Sequence, residues 1–254
     1  MAGHVLVTGG GGLIGRAVLH ALPGGLDVSV VGTTDVDLLE PGAFVDLIER
    51  TRPATVVHLA WVASSTPDYR TSVDNTRWRA VTREAASAAV EGGIHFVATG
   101  SAVDGSPGAD PYTAAKAGLR SDLDEVIGHG RIAWVRPHYV FDPSTPSPAV
   151  LRMAHEAQER GEAVQLRAPY AEHDFVHVRD VGDAVAAVVE HRLTGVVDIG
   201  FGILTAVHTL VERFGAAWAQ APGPVATAPT DSAADVRQLV RIGWHPTETE
   251  RFFS

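Results

Sequence analysis

The stretch Val5-Leu6-Val7-Thr8-Gly9-Gly10-Gly11-Gly12-Leu13-Ile14-Gly15 decides the fold. An aliphatic, β-branched run over 4–7 flows into glycines and then into Arg16-Ala17-Val18-Leu19-His20-Ala21-Leu22, which has helical character. Strand, glycine turn and helix together form the first βα unit of a sheet built to hold a dinucleotide. In the spacing Gly9-x-x-Gly12-x-x-Gly15, Gly9 permits the tight turn and Gly12 lets the backbone approach a pyrophosphate with no Cβ in the way. Gly15 lets the helix pack closely on the strand. Leu13 and Ile14 then fall at the helix N-terminus, whose unpaired N–H groups and dipole favour phosphate. A glycine-rich turn by itself is a weak signal, so the rest of the chain has to carry the reading.

Outward from this unit, short apolar runs alternate with helical segments. Strands are expected over 27–31, 54–60, 94–98 and 132–136, with helices over 41–51, 72–91 and 112–127. The strands are apolar on both faces, as parallel strands covered by helices should be. Alternation at this period predicts an α/β fold, a doubly wound parallel sheet. Past Pro137 the rhythm breaks. A proline-rich loop (142–148) leads to a helix ending about Arg160, then a strand over 175–178, a helix over 180–190 and a strand over 196–199. The stretch 215–229, rich in Ala, Pro and Gly, reads as a surface connection, after which Asp231 and Ser232 can cap a last short helix. The expectation is a single Rossmann-type domain over 1–254, in which roughly 138–180 and 200–254 contribute a small, reduced substrate-binding region.

Length and composition narrow the function classes. At 254 residues and 45% hydrophobic residues, the chain can bury one large α/β core. A formal charge of −10 opposes binding to a nucleic-acid backbone. Without cysteine, disulfides and thiolate chemistry are excluded. No apolar run approaches the roughly 20 residues that span a bilayer, and no charged-then-apolar leader precedes the first strand, so a soluble, cytoplasmic protein without a membrane partner is expected. Twelve histidines invite a metal reading. His173 and His177, four apart on an expected strand, would share a face, but no histidine–carboxylate set has ligand spacing, so no metal is expected.

The chemistry centres on Tyr112-Thr113-Ala114-Ala115-Lys116, which opens a helix just after a proline. Positions i and i+4 lie on one helix face, so phenol and ammonium can point into one cleft. A cation near a phenol lowers its pKa from about 10 and makes Tyr112 an acid/base for a carbonyl–alcohol pair. Tyr-x-x-x-Lys alone arises by chance in many helices. Here it follows a strand ending in Thr99-Gly100-Ser101, in a chain that opens with a glycine turn.

These motifs, taken in order, resemble the extended short-chain dehydrogenase/reductase superfamily, in its epimerase/dehydratase branch, over nearly the whole chain. Thr8 to Gly15 resembles the family's Thr-Gly-x-x-Gly-x-x-Gly turn, His58-Leu59-Ala60 its fourth-strand motif, and Asn75 the asparagine on the helix that follows. Tyr112 and Lys116 match the catalytic pair, and Arg136-Pro137 the Arg-Pro after the next strand. The run from His173 to Val181 resembles Arg-Asp-Phe-Val-His-Val-x-Asp-Val, and Val197-Asp198-Ile199-Gly200 the late Tyr-Asn-Ile-Gly. The resemblance implies hydride transfer at a nicotinamide. Tyr112 would exchange the proton on the substrate oxygen, and Lys116 would lower the pKa of Tyr112 and hold the nicotinamide ribose. A hydroxyl, assigned to Ser101 with Thr99 as runner-up, would bind the substrate oxygen. Aligning Val103-Asp104-Gly105 on the family's Val-Tyr-Gly instead puts that position on Gly100, and both alignments stand at this point. Cofactor contacts implied by the resemblance also include Asp37, Leu38, Leu59, Ala60, Pro137 and Tyr139. A homodimer through the helices at 71–91 and 112–127 is likewise implied.

The second strand ends Val31-Gly32-Thr33-Thr34, with no acid until Asp35. An acid there would bind both ribose hydroxyls of NAD. Its absence favours NADP, with NAD as the other choice, and Thr33, Thr34 or Arg16 could hydrogen-bond a 2′-phosphate. Departures from the family bear on the substrate. Tyr139 replaces an asparagine that often meets a nucleotide-sugar diphosphate, Asp104 replaces a tyrosine, and His173 replaces an arginine. Trp61, Val103, His138 and Arg167 are further candidates for lining the substrate, each with a plain packing or solvated-surface reading beside it. The expected activity is reduction of a keto group on a nucleotide-linked deoxysugar. A nucleotide-sugar 4-epimerase with recycled NAD is the alternative, and a non-catalytic NAD(P)-binding regulator the alternative of another class.

Overall fold

The computed structural model describes residues 3–62, 68–102, 110–128, 130–145, 147–223 and 232–254, so Val103, Asp104 and Asp231 lie outside the described residues. The chain divides into two compact units, Met1–Arg136 with Gly182–Val197, and Pro137–Val181 with Asp198–Ser254. Elements are numbered in chain order.

The first unit is organised on a six-stranded sheet. Its strands are β1 (Val5–Thr8), β2 (Val28–Val31), β3 (Thr55–His58), β4 (His95–Thr99), β5 (Ile132–Pro137) and β10 (Gly195–Ile199), arranged β10-β5-β4-β3-β1-β2. The pairings of β1 with β2 and β3, of β3 with β4 and of β4 with β5 are parallel. Every residue of β1 and β3 is buried, which is why both read as unbroken apolar runs. The helices are α1 (Leu13–Ala21), α2 (Ala43–Thr51), α3 (Asp74–Glu91), α4 (Pro111–Asp122), α5 (Asp124–Gly128) and α7 (Val178–Glu190). Phe44, Leu47 and Ile48 of α2, Trp78, Val81 and Ala85 of α3, and Leu119 of α4 form one core with Leu6, Val56, Phe96 and Trp134 of the sheet. The helix α1 meets α7 where a Cβ on Gly182 would lie 2.5 Å from the Ala17 carbonyl, an approach only glycine permits.

The strand order reverses between β1 and β3. In doubly wound sheets the ligand crevice lies beyond the carboxyl ends of the strands at this switch point. The register Thr8↔Val31, Thr8↔His58 and His58↔Ala98 aligns those ends. The glycine turn, the Gly32 turn, the segment Leu59-Ala60-Trp61 and the pair Gly100-Ser101 therefore leave from one edge of the sheet.

The second unit carries β6 (Tyr139–Phe141), α6 (Ala149–Glu159), β7 (Val164–Leu166), β8 (Glu172–His173), β9 (Phe175–His177), β11 (Thr205–Ala206), α8 (Val207–Arg213), β12 (Trp218–Gln220), α9 (Arg237–Val240) and α10 (Thr247–Phe253). Its strands form three short pairs, β6 with β9, β7 with β12 and β8 with β11. Among the described residues, no helix is long and apolar enough to cross a membrane.

Several expectations need correction. The helix expected over 112–127 divides at Leu123 into α4 and α5. The stretch 215–229 is not all surface connection, because Trp218–Gln220 pairs in parallel with β7. A three-residue strand is too short for its pattern to stand out against Ala and Pro. Ser232 caps no helix, since the next one begins at Arg237 with Val236 at its N-cap. His173 and His177 do not share a strand. Asp174 lies between β8 and β9, and its fully buried carboxylate accepts the N–H groups of Phe201, Gly202 and Ala234 at 2.6, 2.9 and 2.8 Å.

Candidate active site

The glycine turn has the shape its spacing predicts. Gly9 sits at φ +75°, where a Cβ would also lie 2.5 Å from the Ala60 amide, so the turn packs directly on Leu59-Ala60. A Cβ on Gly15 would lie 2.2 Å from the Gly9 carbonyl, whereas Gly11 faces open space. Gly12 is the N-cap of α1 and makes no side-chain cap hydrogen bond, so the first-turn amides around the half-buried Leu13 and Ile14 have no side-chain acceptor from the cap. Arg16 is exposed and donates to the Gly11 carbonyl at 2.6 Å. The turn is braced from beneath by a buried chain of hydrogen bonds. Thr8 Oγ1 meets His58 Nδ1 at 2.7 Å, and His58 Nε2 meets Thr82 Oγ1 at 3.0 Å. Burial, with the Lys116 charge adding to it, holds the His58 pKa down at about 3.

The end of β2 does carry an acid. Asp35 folds back so that its carboxylate accepts the Gly32 N–H at 2.9 Å. The reading that this strand end lacks a carboxylate is therefore corrected, because a turn three residues long returns one to it. Thr33 and Thr34 are exposed on that turn. Asp37 accepts the Leu39 N–H at 2.9 Å, and Leu38 is buried in the core.

The second cluster forms where α4 meets the ends of β3 and β4. Asp110 caps α4 by accepting the Thr113 N–H at 2.9 Å, and Pro111 occupies the first helical position. One turn of helix then carries Tyr112 and Lys116. The Tyr112 phenol is hydrogen-bonded with Ser101. Thr99 is turned elsewhere: its hydroxyl donates to the His58 carbonyl at 2.9 Å, and its own carbonyl accepts from Lys116 Nζ at 2.8 Å. Gly100 has no room for a side chain, since a Cβ there would lie 2.4 Å from the Trp134 indole nitrogen.

The expected effect of Lys116 on Tyr112 is not what the structure shows. Burial raises the phenol pKa above its ordinary value. The opposing influences are the Ser101 hydrogen bond and the Arg70 charge, while Tyr69 and Asp110 push it further up. The ammonium of Lys116 instead lies 3.5 Å from the centroid of the Trp61 ring. Trp61 donates its indole N–H to Asn75 Oδ1 at 2.8 Å, and the fully buried Asn75 donates to the carbonyls of Tyr69 and Ser72.

Sequence reasoning missed Tyr69 and Arg70. The Arg70 carbonyl accepts the Tyr112 N–H at 2.9 Å, its guanidinium lies 5.7 Å from the Tyr112 ring centroid, and its Nε donates to Asp110 at 2.8 Å. Tyr69 meets Tyr112 edge-on at 5.3 Å. Neither residue belongs to a periodic element or a motif, so nothing in the sequence marks them.

Five candidates fall in the second unit. Pro137 is buried, and the His138 N–H donates to the Ile199 carbonyl at 2.9 Å. Tyr139 stacks on His173 with ring centroids 3.9 Å apart. Arg167 is exposed. Among the described residues, no group of three or more His, Asp or Glu side chains is placed to hold a metal ion.

A doubly wound sheet with a glycine turn at its switch point, and a Tyr-x-x-x-Lys helix at the same edge, defines a dinucleotide-dependent enzyme class. The model of the NAD dependent epimerase/dehydratase family matches residues 5–200, and the chain belongs to that family, a family of enzymes. No curated protein matches the chain by sequence. Among solved structures, a UDP-glucose 4-epimerase from Thermus thermophilus in complex with NAD is 24% identical, with a TM-score of 0.72 over 96% of this chain and 94% of that one. A dTDP-4-dehydrorhamnose reductase from Bacillus anthracis in complex with NADP is 17% identical, with a TM-score of 0.76 over 100% and 98%. A UDP-glucose 4-epimerase from Stenotrophomonas maltophila, with bound NAD and formylated UDP-arabinopyranose, is 19% identical, with a TM-score of 0.76 over 96% and 93%.

Proposed function

We propose that the protein is an NAD(P)-dependent ketoreductase that reduces a keto group on a nucleotide-linked deoxysugar. The observation that carries this reading is the Ser101–Tyr112 hydrogen bond beside a buried lysine, at the same sheet edge as a glycine turn without a side-chain cap. The residues present fit a dinucleotide: a bare glycine surface leads into first-turn amides suited to a pyrophosphate. The bound nicotinamide supplies the hydride. Ser101 hydrogen-bonds the substrate carbonyl oxygen, and Tyr112 gives that oxygen its proton as the carbon is reduced. Lys116 is assigned to the nicotinamide ribose, and Leu59, Ala60 and the Asp37 region to the rest of the dinucleotide. The sugar nucleotide is assigned to the second unit through His138, Tyr139, Arg167 and His173, and the working form is taken as a homodimer.

Burial raises the Tyr112 phenol pKa above its ordinary value, and the same phenol can give a proton in reduction or take one in epimerisation. The 4-epimerase reading keeps its support from the solved relatives. The two readings separate when the protein is mixed with NADPH or NADH and a nucleotide-linked 4-keto-6-deoxyhexose. Stoichiometric loss of reduced nicotinamide supports the reductase. Sugar conversion with no net loss supports the epimerase, and binding without either supports a regulator.

A further inference from the structure

Lys116 is the only lysine in a chain that holds 20 Lys and Arg residues together. It is 3% exposed. Its ammonium has the Thr99 carbonyl at 2.8 Å and the Trp61 ring centroid at 3.5 Å. Trp61 is itself fixed, by its hydrogen bond to Asn75 and by stacking on Trp78 with centroids 6.3 Å apart. Among the described residues, His58 of β3, kept neutral by burial, interacts with the ammonium, and Tyr112 stands one turn earlier on α4.

A buried ammonium loses its hydration and tends to shed its proton unless another group replaces the lost water. An aromatic face does this for a cation within about 6 Å of its centroid. Arginine never loses its proton in a protein, so a chain that uses arginine at every other basic position keeps its one lysine where a compact, tunable charge matters.

We propose that Trp61 is a positioning residue for Lys116: its indole face, locked by Asn75, holds the buried ammonium charged and aimed at the site. The assignment of Trp61 to the substrate wall gives way to this role. The proposal rests on the reading of Lys116 as a cofactor-holding residue, and the test separates the two. In protein labelled with carbon-13 at lysine, every side-chain lysine signal comes from Lys116. In the wild type its terminal methylene is shielded by the indole ring current. Trp61→Phe retains much of that shielding. Trp61→Leu abolishes it, lowers the pH midpoint at which the ammonium titrates and weakens NADPH or NADH binding about tenfold. An unshielded wild-type signal, or a Trp61→Leu protein with unchanged midpoint and affinity, overturns the proposal. A shielded signal that does not move on adding either dinucleotide leaves the Trp61 contact standing and overturns the functional reading of Lys116 instead.

Discussion

Ser101 and Tyr112 share a hydrogen bond, while Thr99, two residues before Ser101, donates its hydroxyl back to the His58 carbonyl. The two hydroxyls that the sequence leaves as alternatives are thus committed to different tasks. Ser101→Ala is expected to lower the rate of carbonyl reduction by about 100-fold or more, through loss of a group that binds the reacting oxygen. Thr99→Val removes only a neutral hydrogen bond within the sheet, so a stability loss of about 1 kcal/mol and a smaller rate effect are expected. Steady-state kinetics and urea unfolding of the two variants check this. Equal rate losses would contradict it.

Cofactor choice turns on Asp35. Its carboxylate sits on the Gly32 amide at the end of β2, where its charge would oppose the 2′-phosphate of a dinucleotide bound along that strand end. Asp35→Asn keeps an acceptor for that amide and removes the charge. Fluorescence titration should show the ratio of NADPH to NADH affinity rising about tenfold in this variant, equivalent to ~1.4 kcal/mol. An unchanged ratio would place the adenosine ribose away from this turn.

The glycine turn gives a paired prediction. Gly15→Ala sets a Cβ 2.2 Å from the Gly9 carbonyl and 2.7 Å from the Gly10 Cα, atoms of backbone that have little freedom to move. The variant should lose about 1–3 kcal/mol of stability and most of its dinucleotide affinity. Gly11→Ala meets nothing within 4 Å and should keep its stability to within about 0.5 kcal/mol. Thermal unfolding with and without NADPH distinguishes the two.

His58 makes the fold sensitive to acid. Its folded pKa of about 3 lies below the ordinary 6.5, so below that value the unfolded chain binds a proton that the folded chain refuses. Stability should therefore fall as pH drops from about 6.5 toward 3, by up to about 1.4 kcal/mol per pH unit from this group. His95 and His177, also lowered by burial, add to the same slope. Urea midpoints between pH 4 and 6 should fall less steeply for His58→Gln than for the wild type.

Much of this was legible in the sequence because it is local. The Gly9-x-x-Gly12-x-x-Gly15 turn, the buried β1 and β3 and the Tyr112–Lys116 spacing are fixed by neighbours a few residues away, and the family model extends over the same stretch. What escaped depends on chain reversals and distant partners. Asp35 returns to Gly32 through a turn with no distinctive pattern, and Arg70 reaches Tyr112 and Asp110 across some 40 residues. The electrostatics of Tyr112 escape a sequence reading for a related reason. Helical spacing puts Lys116 on the right face, but its ammonium lies against Trp61, from another segment, and burial dominates the phenol. In the second unit, Asp174 belongs to a motif read for its histidines, yet its buried carboxylate gathers three amides from 201–202 and 234.

In the proposed reaction Tyr112 delivers a proton while a nicotinamide delivers a hydride to a sugar keto group. The decisive experiment is a single turnover with reduced dinucleotide deuterated at both C4 positions and a nucleotide-linked 4-keto-6-deoxyhexose. One deuterium is expected on the new carbinol carbon, formed by the wild type and at least about 100-fold more slowly by Tyr112→Phe. Product lacking deuterium, or a Tyr112→Phe protein as fast as the wild type, would contradict it.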